Sequence, residues 1–331
     1  MIRYAAAFIL SFGLGLYWTP LLRHAALQLG IVDRPDGLLK KQCDPIPYLG
    51  GIAVFMAFLF TAGVFTDFGR DTMGLLLSGS IVLMVGLIDD FGAMSAPQKL
   101  LGQTLAAIVL VRSGIYIKLE FLPVWAAIPL TVLWILAVTN ALNIIDILDG
   151  LAAGVSAIAA LSIAIANFMA GRHAVALLSL VLAGAILGFL RHNFHPATIY
   201  LGDAGSLFIG FMLAALSMNA GYTRANLLAV LSPVLILGIP LFDLTLVTWI
   251  RWRNGIPIMQ GSPDHFALRL RQLKLSVRET AVTTYVIGAL LSGVALLLSQ
   301  ITLEWAIATM CGTFSAAGLS AYLLMKVDMR S

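Results

Sequence analysis

Charged residues are scarce in this sequence. They make up 11% of its 331 positions, against about 25% in a soluble domain. That shortage excludes an ordinary water-soluble globule. It also argues against a nucleic-acid partner, which needs a dense basic surface. Cysteine is scarcer still: Cys43 falls in a loop and Cys311 in the last apolar run, which gives neither a disulfide framework nor a thiolate metal site. No basic leader of any length precedes the first apolar run and no small-x-small cleavage signal follows it. That run therefore reads as a span, not as a removable signal peptide. No soluble domain, low-complexity segment or clear internal repeat interrupts the chain, and residues 1–331 are expected to form a single integral membrane domain. The apolar runs are continuous and do not alternate, which excludes a membrane barrel.

What fills the chain is apolar: 60% of residues are hydrophobic and the mean hydropathy is +0.97. A bilayer span needs about 20 mostly apolar residues. Runs at 2–22, 48–68, 73–89, 99–113, 121–140, 150–170, 173–190, 205–221, 225–249, 280–300 and 303–325 predict an all-α, polytopic membrane protein with 10–11 transmembrane helices. Eleven spans would put the termini on opposite sides. Alternate loops divide the 20 lysines and arginines 14 to 6, and the richer set, including Arg251, Arg253, Arg271 and Lys274, belongs in the cytoplasm. The loops of the other side are short and featureless. The polar clusters all fall on the cytoplasmic side, so one shared site is expected there.

Five clusters make up that site. "GLIDDFGAMSAPQKLLGQ" ends the third run with Asp89 and Asp90 and opens the fourth with Lys99 and Gln103, four apart on one helix face. Adjacent carboxylates at an apolar edge repel each other unless a cation is near. "NALNIIDILDG" carries Asn140, Asn143, Asp146 and Asp149 at a strict spacing of three, a row of helix neighbours, with Gly150 allowing a break before the sixth span. "NFHPATIYLGDAGSLFIG" places Asp203 between Gly202 and Gly205, where backbone, phosphate or metal can approach closely; Asp203 would also suit the N-cap of the eighth span. The loop "RWRNGIPIMQGSPDHFALRLRQLKLS" is basic and holds His265 and Arg269, and Asp243 stands inside the ninth run as a candidate helix-packing group. "LLKKQCDPIPYLGG" sets Lys40 and Lys41 before a Pro-x-Pro turn and a Gly-Gly pair. Carboxylates without a Cys/His cluster favour a hard cation such as Mg²⁺, which keeps waters and phosphate oxygens as ligands. Bases suit phosphates and apolar walls suit a lipid. The residues alone point to phosphoryl transfer at a membrane interface.

These stretches, in this order over residues 33–276, resemble the polyprenyl-phosphate N-acetylhexosamine-1-phosphate transferase superfamily, relatives of phospho-MurNAc-pentapeptide translocase. The "PIPYLGG" form looks like the sugar-1-phosphate branch. The resemblance implies a bacterial inner-membrane enzyme with its site facing the cytoplasm. Undecaprenyl phosphate would attack the β-phosphorus of a UDP-N-acetylhexosamine, giving undecaprenyl-diphospho-sugar and UMP, in the first membrane step of cell-surface polysaccharide synthesis. It implies Mg²⁺, with Mn²⁺ as a substitute, at Asp203 and Asp149. Asp89 would handle the lipid phosphate with Asp90 supporting. Asn140, Asn143, Asp146 and Asp149 would orient the nucleotide and the metal's waters, and Lys40, Lys41, Lys99 and Arg269 would balance phosphate charge. A homodimer is left open. Two departures stand out. Ile147 replaces a glycine of the family's Asp-Gly-x-Asp-Gly, and His265-Phe266-Ala267-Leu268-Arg269 stands where His-x-His-His-Arg is common. The second predicts a less polar sugar pocket that tolerates a 6-deoxy sugar. The translocase reaction is the alternative within the family. The rival from another class is an ion-coupled transporter, which would want mid-span acids and paired repeats; here the acids gather at one face.

Overall fold

The structure is a computed structural model and describes residues 1–33, 45–218, 222, 226–257 and 263–329. Lys40 and Lys41 lie outside the described residues. The elements in chain order are α1 (Ile2–Leu29), β1 (Val32–Asp33), β2 (Ile46–Pro47), α2 (Gly50–Phe65), α3 (Arg70–Asp90), α4 (Ala96–Ser113), α5 (Val124–Ile145), α6 (Leu151–Met169) and α7 (His173–Asn193). There follow α8 (Gly202–Ser217), a 3-10 turn over Leu227–Leu231, α9 (Ser232–Ile236), α10 (Gly238–Arg253), α11 (Phe266–Gln272), α12 (Val277–Leu298) and α13 (Leu303–Met325). The protein is a polytopic helical membrane protein. Seven helices (α1, α3, α5, α6, α7, α12 and α13) are long and apolar enough to cross a bilayer, and α2 and α8 are shorter apolar helices.

Each of the eleven apolar runs overlays one helical unit, but the ninth is not a straight span. It splits into Leu227–Ile236 and Gly238–Arg253, bent by 78°. The cause is local. Pro240 has no amide to bond the Ile236 carbonyl, and its ring crowds the preceding turn. Pro233 suits the first turn of α9, where a missing N–H costs nothing.

The centre of the molecule is α8, buried without interruption from Ala204 to Ser217. A helix apolar on every side belongs in such a place. It packs against α2, α3 and α5, while α1 and α6 flank α7, and α12 lies against α6. The close fit depends on residues without side chains. A Cβ on Gly51 would fall onto the backbone nitrogen of Gly205, so α2 and α8 meet backbone to backbone, the usual route to tight helix association without a hydrophobic drive. Some hydroxyls inside the spans bond back to their own helices, as in Ser78 donating to the Gly74 carbonyl at 2.7 Å and Thr131 to Ala127 at 2.7 Å. At the periphery, α13 buries only Ala306 and Met310.

Candidate active site

The C-terminal ends of α3 and α5 meet the N-terminal ends of α4 and α8. From this junction Asp89, Asp90, Asn143, Gly202 and Asp203 line a cavity of about 580 Å³. The junction itself is centred on an ammonium group. Lys99 Nζ lies 2.6 Å from Asp89 Oδ2, 2.8 Å from Asp203 Oδ2 and 3.1 Å from Asn143 Oδ1. Asn143 in turn donates from Nδ2 to Asp203 Oδ1 at 2.7 Å and to Ser206 Oγ at 2.9 Å. Both Asp203 oxygens are therefore held by neighbouring helices. The α4 spacing explains the registration: Lys99 meets Asn143, and one turn deeper the buried Gln103 exchanges hydrogen bonds with Asn140 at 2.7 and 3.3 Å.

Asp90 does something different. Its two oxygens accept from the backbone amides of Asp203 at 2.7 Å and Ala204 at 3.0 Å. Those amides open α8 and have no partner inside the helix. The cap of this helix is thus a carboxylate 113 positions away in sequence, and Asp203 is freed from capping its own helix. A negative charge also suits the positive end of the helix dipole. The β2 segment joins the same edge: Tyr200 N donates to Pro47 O at 2.7 Å, and Gly50 and Gly51 donate to the carbonyls of Tyr200 and Leu201 at 3.0 and 2.8 Å.

The row of three-residue spacing comes apart here. Asn140 and Asn143 ride on α5, which ends at Ile145. Asp146 and Asp149 sit in the turn that Gly150, at φ 74°, closes before α6. Asp149 Oδ2 accepts from His195 Nδ1 at 2.6 Å and from the Ala197 amide at 3.0 Å. His195 was not singled out by the sequence reading; its signal was its place in "NFHP", but its partner lies 46 positions earlier. Asp146 lines the cavity and its carboxylate has no hydrogen-bond partner among the described residues. Burial, and after it the charges of Asp203, Asp90 and Asp149, push its carboxyl up to about 8. Tyr200, also lining, is pushed up to about 12 by burial and the neighbouring aspartates.

Asp33 completes a set of six aspartates around the cavity. No anionic diphosphate enters such a space unless cations accompany it. No group of three His, Cys, Asp or Glu among the described residues is arranged to hold a metal alone. Mg²⁺, however, takes one or two carboxylates and fills the rest of its octahedron with water and phosphate oxygens. An all-oxygen donor set with one unpartnered carboxylate fits that ion.

Two residues of the basic loop, His265 and Arg269, are engaged within the protein. His265 Nδ1 is 2.7 Å from Asp243 Oδ2, and the Phe266 amide donates to Asp243 Oδ1 at 2.8 Å. Asp243 thus caps α11 and pins its start. Arg269, 4% exposed, gives its guanidinium to Asp264 at 2.8 Å and to the Leu324 and Val327 carbonyls at the end of α13 at 3.0 and 3.2 Å. Neither His265 nor Arg269 lines the acidic cavity.

The sequence profile of glycosyl transferase family 4 matches residues 72–221, the segment that carries α3 to α8 and all of the Lys99 network. A probable undecaprenyl-phosphate N-acetylglucosaminyl 1-phosphate transferase of Bacillus subtilis is 38% identical over 317 residues, covering 92% of this chain and 87% of its own. A decaprenyl-phosphate N-acetylglucosaminephosphotransferase of Mycobacterium tuberculosis is 33% identical over 313 residues, covering 83% and 77%. A phospho-N-acetylmuramoyl-pentapeptide-transferase of Halalkalibacterium halodurans is 31% identical over 238 residues, covering 65% and 73%.

Proposed function

This chain belongs to glycosyl transferase family 4, and we propose that it transfers a HexNAc-1-phosphate from a UDP-sugar to undecaprenyl phosphate at the cytoplasmic face of a bacterial inner membrane. The products are undecaprenyl-diphospho-sugar and UMP. The observation that carries the reading is the Lys99 ammonium held between Asp89 and Asp203, two aspartates that line an acidic cavity among apolar helices. The wider match to the N-acetylglucosaminyl transferase of Bacillus subtilis favours a simple sugar phosphate over a muramoyl pentapeptide.

One diphosphate linkage replaces another, so the step needs little driving force. Catalysis then consists of positioning and charge neutralisation. Mg²⁺, when bound, would neutralise the diphosphate and draw charge from the leaving UMP. Asp203 would hold it, with Asp149 as the second candidate ligand and the unpartnered Asp146 facing the same space. Asn143 and Lys99 keep the Asp203 carboxylate turned in one direction. Lys99 also fixes Asp89, placing that carboxylate where the lipid phosphate arrives. No strong base is required, because a phosphate monoester with a second pKa of about 6 is mostly dianionic at neutral pH. The apolar helix surfaces beside the cavity accept the prenyl chain.

The test is direct. Protein purified in detergent is given undecaprenyl phosphate, Mg²⁺ and a panel of UDP-sugars, and UMP release and lipid-linked product are measured. Product with a UDP-HexNAc supports the reading. No product with any UDP-sugar, from protein that is monodisperse and folded, overturns it.

A further inference from the structure

The loop over residues 194–200 carries His195, a side chain that the proposed reaction has not yet used. Its ring is partly open, 39% exposed, and stands against an Asp149 side chain that is 19% exposed. Both hydrogen bonds received by Asp149 fall on one oxygen: Oδ2 takes His195 Nδ1 at 2.6 Å and the Ala197 amide at 3.0 Å. The other oxygen, Oδ1, has no partner among the described residues, and Asp149 lines the cavity. A carboxylate can turn about its terminal bond, where preferences are broad. Two donors on the same oxygen stop that turning. They leave one acceptor, with a fixed direction, facing the substrate space.

The surroundings hold this arrangement from behind. Asn193 accepts from the Gly150 amide at 3.1 Å and donates to the Ile199 carbonyl at 3.0 Å, tying the Asp149 turn to the His195 loop. From α12, Tyr285 donates to the Gly150 carbonyl at 2.6 Å and Arg278 to the His195 carbonyl at 3.0 Å. Two loops and a third helix therefore converge on one carboxylate rotamer. Supporting groups of this kind set how precisely a binding group is placed.

We propose that His195 is a positioning residue that orients Asp149 to accept a hydrogen bond from the nucleotide part of the UDP-sugar. The inference rests on the transfer reaction proposed above. Its chemistry needs only a donor on the nucleotide, which has N–H and O–H groups, and an acceptor that does not swing. Mg²⁺, for which Asp149 is the second candidate ligand above, and the metal's waters are the competing partners for Oδ1, and the Mg²⁺ requirement separates them from the nucleotide.

The replacements use atom position. An asparagine amide nitrogen sits as many bonds from the backbone as His195 Nδ1, so His195→Asn keeps a donor near Asp149 Oδ2. His195→Ala removes it. For each variant the KM for UDP-GlcNAc, the kcat, the Mg²⁺ concentration for half-maximal rate, UMP binding by calorimetry without lipid, and thermal unfolding in detergent are measured. Expected for His195→Ala are a rise of about tenfold in KM for UDP-GlcNAc and in the Kd for UMP, the range for one hydrogen bond to a charged group. The kcat changes much less, the Mg²⁺ requirement stays as in wild type, and His195→Asn recovers most of the loss. The inference is overturned if UDP-GlcNAc KM and UMP Kd stay at wild-type values. It is also overturned if the Mg²⁺ requirement rises in their place, or if His195→Asn is as impaired as His195→Ala. If His195→Ala does not fold, the comparison of His195→Asn with wild type decides: a Kd for UMP within about threefold of wild type supports the inference, and a larger loss overturns it. Failure of wild-type protein to transfer any sugar would refute the parent reading separately, since UMP binding needs no turnover.

Discussion

Replacing Lys99 with methionine keeps the aliphatic stem and deletes the charge at the centre of the site. Three acceptors lose their donor: Asp89 at 2.6 Å, Asp203 at 2.8 Å and Asn143 at 3.1 Å. Removing one partner of a buried ion pair costs about 3–5 kcal/mol, whereas an exposed pair is worth at most about 1 kcal/mol. The side chains of Lys99 and Asp89 are 14% and 16% exposed and that of Asp203 is 35% exposed. Water reaches one member, so the low end of the buried range applies, about 3 kcal/mol. If that loss falls wholly on the placement of Asp203 in the transition state, transfer slows by about two orders of magnitude. The cost also depends on Asp89. In an Asp89→Asn background one carboxylate is already neutral, and losing Lys99 should destabilise less. Thermal unfolding of wild type, both single variants and the double variant gives the coupling, expected to be at least about 1 kcal/mol between groups in direct contact. Additive effects of the two substitutions, together with a transfer rate within about threefold of wild type for Lys99→Met, would refute the argument that this ammonium organises the site.

Three other outcomes are expected. Asp203→Asn should abolish transfer while the protein still folds in membranes, because the amide keeps its size but loses the charge; normal activity with an unchanged Mg²⁺ requirement would count against Asp203 as the metal's ligand. A cysteine placed at the exposed turn residue Asn254 should be shielded from an impermeant thiol reagent in intact cells and react in inverted vesicles; labelling in intact cells would put the whole site on the wrong side. Asp146 has a folded pKa raised to about 8 from an ordinary value near 4. Stability tied to this group is present below about pH 4 and lost as pH rises through about 8. Chelator-treated wild type should therefore lose thermal stability from pH 5 to 9 more steeply than Asp146→Asn, and equal slopes would show that burial and the acidic neighbours do not raise this carboxyl.

Much of the architecture was legible because a bilayer imposes one requirement on every span, and each apolar run marks a helical unit. The i, i+4 pair Lys99 and Gln103 was legible as one face, and that face does meet Asn143 and Asn140. What stayed hidden was anything decided by a distant partner. Nothing near Asp90 in sequence says that it caps α8, because the amides it binds belong to residues 203 and 204. His195 was hidden for the same reason. The spacing of three in 140–149 was read as one touching row, but the turn after Ile145 breaks it, and each member finds its own surroundings. The break in the ninth span was marked by Pro233, Gly238 and Pro240, yet the apolar run passes through them, and hydropathy alone does not register a missing amide.

The basic loop shows why charge is a weaker guide than burial. The family resemblance implied that Arg269 would balance phosphate charge. Its guanidinium has five donors in a planar fork, and the fold spends them on Asp264 and the carbonyl ends of α13. Those carbonyls carry the negative end of a helix dipole, so an arginine there is stabilising without any ligand. The same packing relocates the sugar-pocket expectation. Ala267 is fully buried in the hydrophobic core. Of the two residues that replace the family's extra histidines, Ala267 is therefore enclosed by protein, while Leu268 is half-buried. His265, the one histidine kept, turns inward to Asp243. The polar groups that face the open cavity instead come from α3, α5, α8 and the turn at 146–149, with Asp33, Tyr48, Asn193 and Tyr200 beside them, and sugar and nucleotide discrimination is best sought there.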